Sequence, residues 1–279
     1  MKKFLALLLA ALMLFSFTAC SSNSGKVKVI DIDLTDELYA FGVDKDQPEL
    51  LANTNAFIKK IKENGQFDAI CNKYFGDGTP TPVTSAEPDD SKDQLVVVTN
   101  AEFAPFEYKE GDKYLGIDME IADLLAKELG KELVILNVQF DAVCLNVSQK
   151  KADIAMAGLT ISEDRKEHVT FTDSYYTASQ RLIVKEDDET FKDCKTVEDV
   201  EKILNGFGSD VKIGVQNGTT GEGYCKGSED LGFAGYKVTT KGYSNGALAV
   251  QDMINGNIDY VVIDAAPAER IVSSFNEKA

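Results

Sequence analysis

Three short stretches of this 279-residue chain carry side chains able to hold a small charged molecule. Residues 157–165 read AGLTISEDR, which sets Gly158 and Thr160 a few positions before Arg165. A guanidinium can grip a carboxylate through two parallel hydrogen bonds; the plainer alternative is a solvated Arg165-Lys166 pair on a helix start. Residues 214–220, GVQNGTT, run from an apolar strand through a glycine turn into a helix, where free backbone N–H groups favour an anion. A phosphate loop would need G-x-x-x-x-G-K-[ST], a spacing this stretch does not have, and a purely structural turn stays open. Asp264 closes the run VVID (261–264), where it either faces a cation or caps the next helix. Phe103 in NAEFAPF and Phe140 in VQFD could be plain core. The single histidine, His168, is given no role. With no His/Cys cluster, neither a metal nor another cofactor is expected.

The elements that must position these residues alternate between strand and helix. Strand signals fall at 95–98, 134–140, 154–156 and 182–184, then at 212–215, 236–239 and 259–263. Residues 118–129 carry Ile121, Leu124, Leu125 and Leu129 at helical spacing, stopped by Gly130. A second helix is expected around 247–254, and a last one ending near Asn276. Such alternation predicts parallel sheets covered on both faces, an α/β fold. Residues 77–93, DGTPTPVTSAEPDDSKD, hold three of the six prolines and no apolar periodicity, and read as a flexible linker.

The stretch AGLTISEDR followed by VTFTDSYY (169–176) resembles a signature of bacterial amino-acid-binding proteins of ABC importers, the family 3 extracellular solute-binding type. Residues 94–278 resemble that family in its normal order and stop where its carboxy-terminal fifth should begin. That missing piece resembles residues 27–76, with YAFGVDKD (39–46) as crossover and GQFDAICNKYFG (65–76) closing a helix. The two pieces are complementary, so the chain reads as circularly permuted; a truncated tandem of two such proteins is the rival explanation. The resemblance implies a two-lobe periplasmic-binding-protein-like (type II) α/β fold. The expected division is a signal peptide at 1–20, a tether at 21–26 and the last strand of lobe II at 27–33. Lobe I then takes its carboxy-terminal segment from 34–76, a linker from 77–93 and the rest from 94–184, and lobe II takes 185–279. The hinge strands are expected near 181–185 and 33–40.

The resemblance also implies roles. Arg165 would fork onto the carboxylate of an L-amino acid, with Thr160 and Thr220 as further donors. Asp264, the Thr160 hydroxyl and the Gly158 carbonyl would take the ammonium, and Phe103 and Phe140 would sandwich the side chain. Many relatives carry Asp where this chain has Asn100; with Gln216 beside it, a neutral Asn100 points to a polar uncharged or neutral ligand such as glutamine or cystine. Glu102 keeps a cationic one open. The implied partners are the amino acid, a membrane permease and its ATPase, with the protein a monomer. The alternatives are a cyclohexadienyl-dehydratase-like enzyme and a sensory ligand-binding subunit.

Residues 1–20 have a basic start, a short apolar run and a lipobox-like end at Cys20, so this segment reads as a lipoprotein signal rather than a membrane span. The protein would then work outside the cell membrane, held by lipid on Cys20. The net charge is −17, and loss of Lys2 and Lys3 with the signal would take it to −19. Such a surface argues against nucleic acid or anionic lipid as a partner. Cys71, Cys144, Cys194 and Cys225 leave the disulfide state open, with Cys194 and Cys225 the pair to examine. The sequons at Asn146 and Asn217 are read as chance matches.

Overall fold

The computed structural model describes residues 25–277; the expected signal segment and Cys20 lie outside the described residues. Two five-stranded sheets form the framework. The first has the order β10 (Thr170–Phe171), β3 (Gly42–Val43), β9 (Ile154–Ala155), β4 (Gln94–Thr99), β8 (Glu132–Asn137). Its centre is parallel: β4 runs beside β8 and β9, and the fully buried Val97 and Val98 give β4 two apolar faces. The second has the order β1 (Val27–Ile30), β12 (Gln180–Lys185), β15 (Tyr260–Asp264), β13 (Lys212–Gln216), β14 (Thr239–Tyr243). Here β15, β13 and β14 are parallel, and β12 and β1 are added antiparallel.

Helices cover both sheets. α1 (Pro48–Glu63) starts on a proline and buries Leu50, Thr54, Phe57, Ile58 and Ile61, one stripe at helical spacing. It is followed by α2 (Gln66–Phe75), and both pack with α3 (Ile117–Glu128) on the first sheet. A three-stranded sheet of β5 (Glu102–Phe103), β6 (Glu107–Glu110) and β7 (Lys113–Leu115) precedes α3. Gly116 between them is obligatory: its φ is +125°, and an added Cβ would lie 2.0 Å from the Phe106 carbonyl oxygen. The short α4 (Val143–Ser148) and α5 (Glu163–Lys166) complete this lobe. The second sheet is covered by α6 (Val197–Gly206), α7 (Thr220–Lys226), α8 (Gly246–Ile254) and α9 (Ala265–Asn276). α6 opens with a reciprocal Thr196/Asp199 capping box.

The lobes are joined by a crossing pair, β2 (Glu37–Tyr39) and β11 (Tyr176–Ala178), antiparallel with Tyr39 opposite Tyr176. The hinge strand expected at 181–185 therefore lies further upstream; residues 181–185 belong to β12 inside the second sheet. The amino-terminal segment threads through everything: β1 edges the second sheet, β2 forms the crossing and β3 sits inside the first. Val27 and Asn276 meet through two hydrogen bonds, Val27 N–H to Asn276 Oδ1 (3.0 Å) and Asn276 Nδ2 to the Val27 carbonyl (2.9 Å).

Residues 77–93 are a fixed strap rather than the free linker their composition suggested. Val83 is buried and pairs with Tyr114 in both directions, at 2.8 and 3.0 Å. Ala86 N–H donates to the Leu133 carbonyl, and Ile135 N–H donates to Ser85 Oγ. Cys71, Cys144, Cys194 and Cys225 are all free thiols. The strand expected at 236–239 is realised later, as β14. β8 ends at Asn137, and Phe140 opens a 3-10 turn instead of finishing the strand. Among the described residues no helix is long and apolar enough to cross a membrane.

Candidate functional site

The carboxyl ends of β4, β13 and β15 face one another across the gap between the lobes, and side chains at those ends are buried although polar. Asn100 is 2% exposed, Gln216 1% and Asp264 5%. Buried polar groups cost free energy unless paired, and here the pairs run between lobes. Gln216 Nε2 donates to Asn100 Oδ1 (3.0 Å), and Asn100 Nδ2 donates to the Val138 carbonyl (2.7 Å). Asn245 Nδ2 donates to Glu102 Oε2 (2.7 Å) at the rim. The lobes touch again where Gly218 meets Asp141; at φ +75° a Cβ there would stand 3.0 Å from the Asp141 Cβ. The cleft is closed.

Arg165 spans it. Ser162 caps α5 by accepting from the Arg165 N–H, which fixes the start of the helix that carries the guanidinium. Nη1 donates to the Thr160 carbonyl (2.7 Å) in its own lobe and Nη2 to the Gly218 carbonyl (3.1 Å) in the other. The guanidinium carbon lies 5.3 Å from the centre of the Phe140 ring, a cation–π distance. Thr160 is held by an isolated antiparallel bridge to Tyr39, flanked by Ala40 N–H to Leu159 O and Ile161 N–H to Leu38 O. In that pattern the N–H and carbonyl of Thr160 itself point away from β2, toward the cleft.

Gly158 takes φ +54°, gives its N–H to Asp118 Oδ2 (3.0 Å), and leaves room for the Phe103 ring, which would lie 3.1 Å from an added Cβ. Thr220, 3% exposed, is the first residue of α7 after the Thr219 cap. Asp264 does not cap α9 with its side chain; instead its Oδ1 accepts a short hydrogen bond from the Tyr39 hydroxyl. Of the expected residues, the structure joins Asn100 to Gln216 between the lobes, sets Arg165 over Phe140 and against the Gly218 turn, and packs Phe103 against Gly158, with Thr220 and Asp264 buried on the lobe II side.

Two residues at the centre carried no sequence signal that singled them out. Glu37, 5% exposed, accepts from the Thr160 hydroxyl at Oε2 (2.6 Å), and from Gln180 Nε2 (3.0 Å) and the Thr35 hydroxyl (2.6 Å) at Oε1. Tyr39, fully buried, lies two positions on along β2, on the same face. The usable signal was their period-two spacing within a segment expected to cross between lobes. Behind the crossing a cavity of about 200 Å³ reaches Tyr39 and Asp264, with Asp33 and Arg181 at its edge.

The electrostatics are lopsided. Burial, reinforced by the charge of Glu37, pushes Asp264 up to about 7. Burial also lifts Asp118 to about 7, against hydrogen bonds from Gly158 N–H and the Tyr175 hydroxyl. Glu107, fully buried and without a hydrogen-bond partner, is driven well above the carboxylate range by burial and then by Asp118 and Asp264. One end of the cleft is rich in acceptors, the other in the donors of Arg165.

The sequence profile of the bacterial extracellular solute-binding proteins, family 3, matches residues 95–264. An arginine-binding periplasmic protein of Mannheimia haemolytica is 30% identical over 172 residues, 61% of this chain and 63% of that protein. The chain therefore matches less than two thirds of the length of that relative. An ancestral arginine-binding protein solved with arginine bound is 34% identical, covers 66% of this chain and 75% of its own, and superposes with a TM-score of 0.55. A structure of an ancestral arginine-binding protein bound to glutamine gives 33%, 66%, 74% and 0.54. The profile covers more than half of the chain, and its two-lobe α/β architecture is that of these structures: the protein belongs to the bacterial extracellular solute-binding proteins, family 3.

Proposed function

We propose that this protein is a lipid-anchored, extracytoplasmic receptor that clamps an L-amino acid between its lobes and hands it to an ABC permease driven by a separate ATPase. The observation that carries the reading is the polarity around Thr160: Arg165 bonds its carbonyl, while its hydroxyl is bonded to Glu37, whose charge also acts on the buried Asp264. An α-amino acid is complementary to it: carboxylate toward Arg165, Thr220 and the Thr160 N–H, ammonium toward Asp264, Thr160 Oγ1 and the Gly158 carbonyl. Its side chain would lie between Phe103 and Phe140 and reach the Asn100–Gln216 pair. Because Arg165 and Thr160 belong to one lobe and Thr220 and Asp264 to the other, full contact exists only in the closed form, so ligand shifts the population toward closure.

For the side chain, two neutral amides facing each other favour a polar uncharged group, with glutamine the leading candidate. A carboxylate would be expected at Asn100 for a guanidinium or ammonium partner. The ancestral protein crystallised with glutamine supports a site of this type accepting that ligand, while the arginine-binding relatives make arginine the competitor to test.

The order of elements supports a circular permutation of the family fold. Residues outside the profile match supply β1, β2, β3, α1 and α2 to the same two lobes, and the hydrogen-bonded Val27 and Asn276 mark where an unpermuted chain would run from helix into strand. Lipidation at Cys20 would tether lobe II nearest the membrane, since residues 21–26 reach about 20 Å at most.

The test is a thermal-shift panel with the common L-amino acids, cystine and the D-enantiomers. Stabilisation by one or a few L-amino acids, glutamine among them, and by no D-form supports the reading. A flat panel on folded protein contradicts it.

A further inference from the structure

We infer that Glu37 is a positioning residue that selects an α-ammonium by fixing the proton of the Thr160 hydroxyl; this rests on the reading of the cleft as an amino-acid site.

A hydroxyl has one proton to give and two lone pairs to offer. The Thr160 hydroxyl is 2.6 Å from Glu37 Oε2. A carboxylate can only accept, so Thr160 spends its one proton there and presents only lone pairs toward the cleft. A group placed against that oxygen must be a donor. An ammonium, which has three protons and no acceptor, meets the requirement; a ligand oxygen without a proton is repelled. The other hydroxyl at this end is directed the same way, with Tyr39 donating to Asp264.

Glu37 is itself held on every side. Its Oε1 accepts from the Thr35 hydroxyl and from Gln180 Nε2, and the Thr35 hydroxyl oxygen in turn accepts from the Gln180 backbone N–H at 2.8 Å. Because the Thr35 oxygen already takes that N–H, its proton is free to point at Glu37. The carboxylate therefore has no rotational slack, and its acceptor face toward Thr160 is set by residues from both sides of the crossing. Glu37 need not touch the ligand: it acts through Thr160.

A simple bracing role for Glu37 is the competing explanation, and a double-mutant cycle separates the two. The wild type is first titrated calorimetrically with the twenty common L-amino acids, and the tightest is then used on Glu37→Gln, Thr160→Val and the double variant. Hydrogen bonds to charged groups predict a loss of about 10- to 100-fold for Glu37→Gln. If Glu37 works through the Thr160 hydroxyl, adding Glu37→Gln to Thr160→Val costs no more than about threefold further. Losses that multiply in the double variant, or a Glu37→Gln affinity within about threefold of wild type, overturn the inference. Should Glu37→Gln fail to fold by circular dichroism, Glu37→Asp keeps the charge but withdraws the carboxylate from Thr160. It is expected to lose at least about tenfold, and wild-type affinity there overturns the inference equally. A wild type that binds no amino acid sinks the ligand reading, and the role of Glu37 with it; a binding wild type with an indifferent Glu37→Gln sinks the role of Glu37 alone.

Discussion

Replacing Arg165 by alanine removes a guanidinium engaged in three directions at once. In the closed cleft it bonds the Thr160 carbonyl at 2.7 Å, bonds the Gly218 carbonyl of the opposite lobe at 3.1 Å and lies over the Phe140 ring. The bond to Gly218 is one of the contacts that exist only in the closed form, so its loss tilts the clamp open by about 1 kcal/mol. Losing the ligand's own countercharge costs more. A carboxylate drawn into the closed cleft would be left without a cation, a cost on the order of 2–5 kcal/mol. At 1.4 kcal/mol per decade this is a fall in affinity from about 30-fold to several thousand-fold. Isothermal titration of Arg165→Ala measures it. Arg165→Lys should fall between the two, because an ammonium keeps the charge but cannot fork onto a carboxylate. Arg165→Ala binding within about threefold of wild type would refute the placement of the ligand carboxylate, since no reading in which Arg165 pairs with it allows less than about 1 kcal/mol.

Asn100→Asp should convert the amide pair with Gln216 into a cation site; competition titrations should show the arginine-to-glutamine affinity ratio rising by about tenfold or more. The pH dependence has two opposite signs. Asp264 and Asp118 are raised to about 7 in the folded protein, so the empty fold holds protons that the unfolded chain has released, and its stability falls as pH rises from the ordinary carboxylate range through about 7. Ligand ammonium favours ionised Asp264, which is faced by Tyr39, Gln180 and Glu37 and lies in the field of Glu107. Affinity should therefore climb toward pH 8 while the ligand-free melting temperature drops, which calorimetry and thermal melts at pH 5 and pH 8 would read. Gly116→Ala should destabilise by at least about 3 kcal/mol in urea melts, because the new Cβ meets the Phe106 carbonyl at 2.0 Å on backbone at φ +125°.

Much of the candidate site could be named from the sequence because its motifs are local. Gly158, Thr160 and Arg165 sit within eight residues, and the strand-turn-helix of 214–220 and the strand end at Asp264 each announce themselves without a partner. The family resemblance set Asn100, Gln216 and Asp264 at one site, and the structure puts each at or just after the carboxyl end of its strand. Glu37 was not legible. TDELY fell in the stretch expected to cross between lobes, but what makes Glu37 special is contact with Thr160 and Gln180, each more than a hundred residues away. The strap at 77–93 failed for the same reason: Val83 is a lone apolar residue among prolines, and only Tyr114 reveals that it pairs. The second hinge strand was misplaced because RLIVK is the stronger strand signal, while the crossing itself is made by the more polar Tyr176–Ala178. Hinge segments bury less and bend more, so hydrophobic runs point past them.

The measurement that bears most directly on the amino-acid clamp is calorimetric titration of the protein, unfolded and refolded to strip carried-over ligand, against each common L-amino acid and cystine. Micromolar or tighter binding of one or a few is expected, in the range where about −8 kcal/mol corresponds to 1 μM, with glutamine ahead of arginine. Folded protein that takes none of them would contradict the clamp.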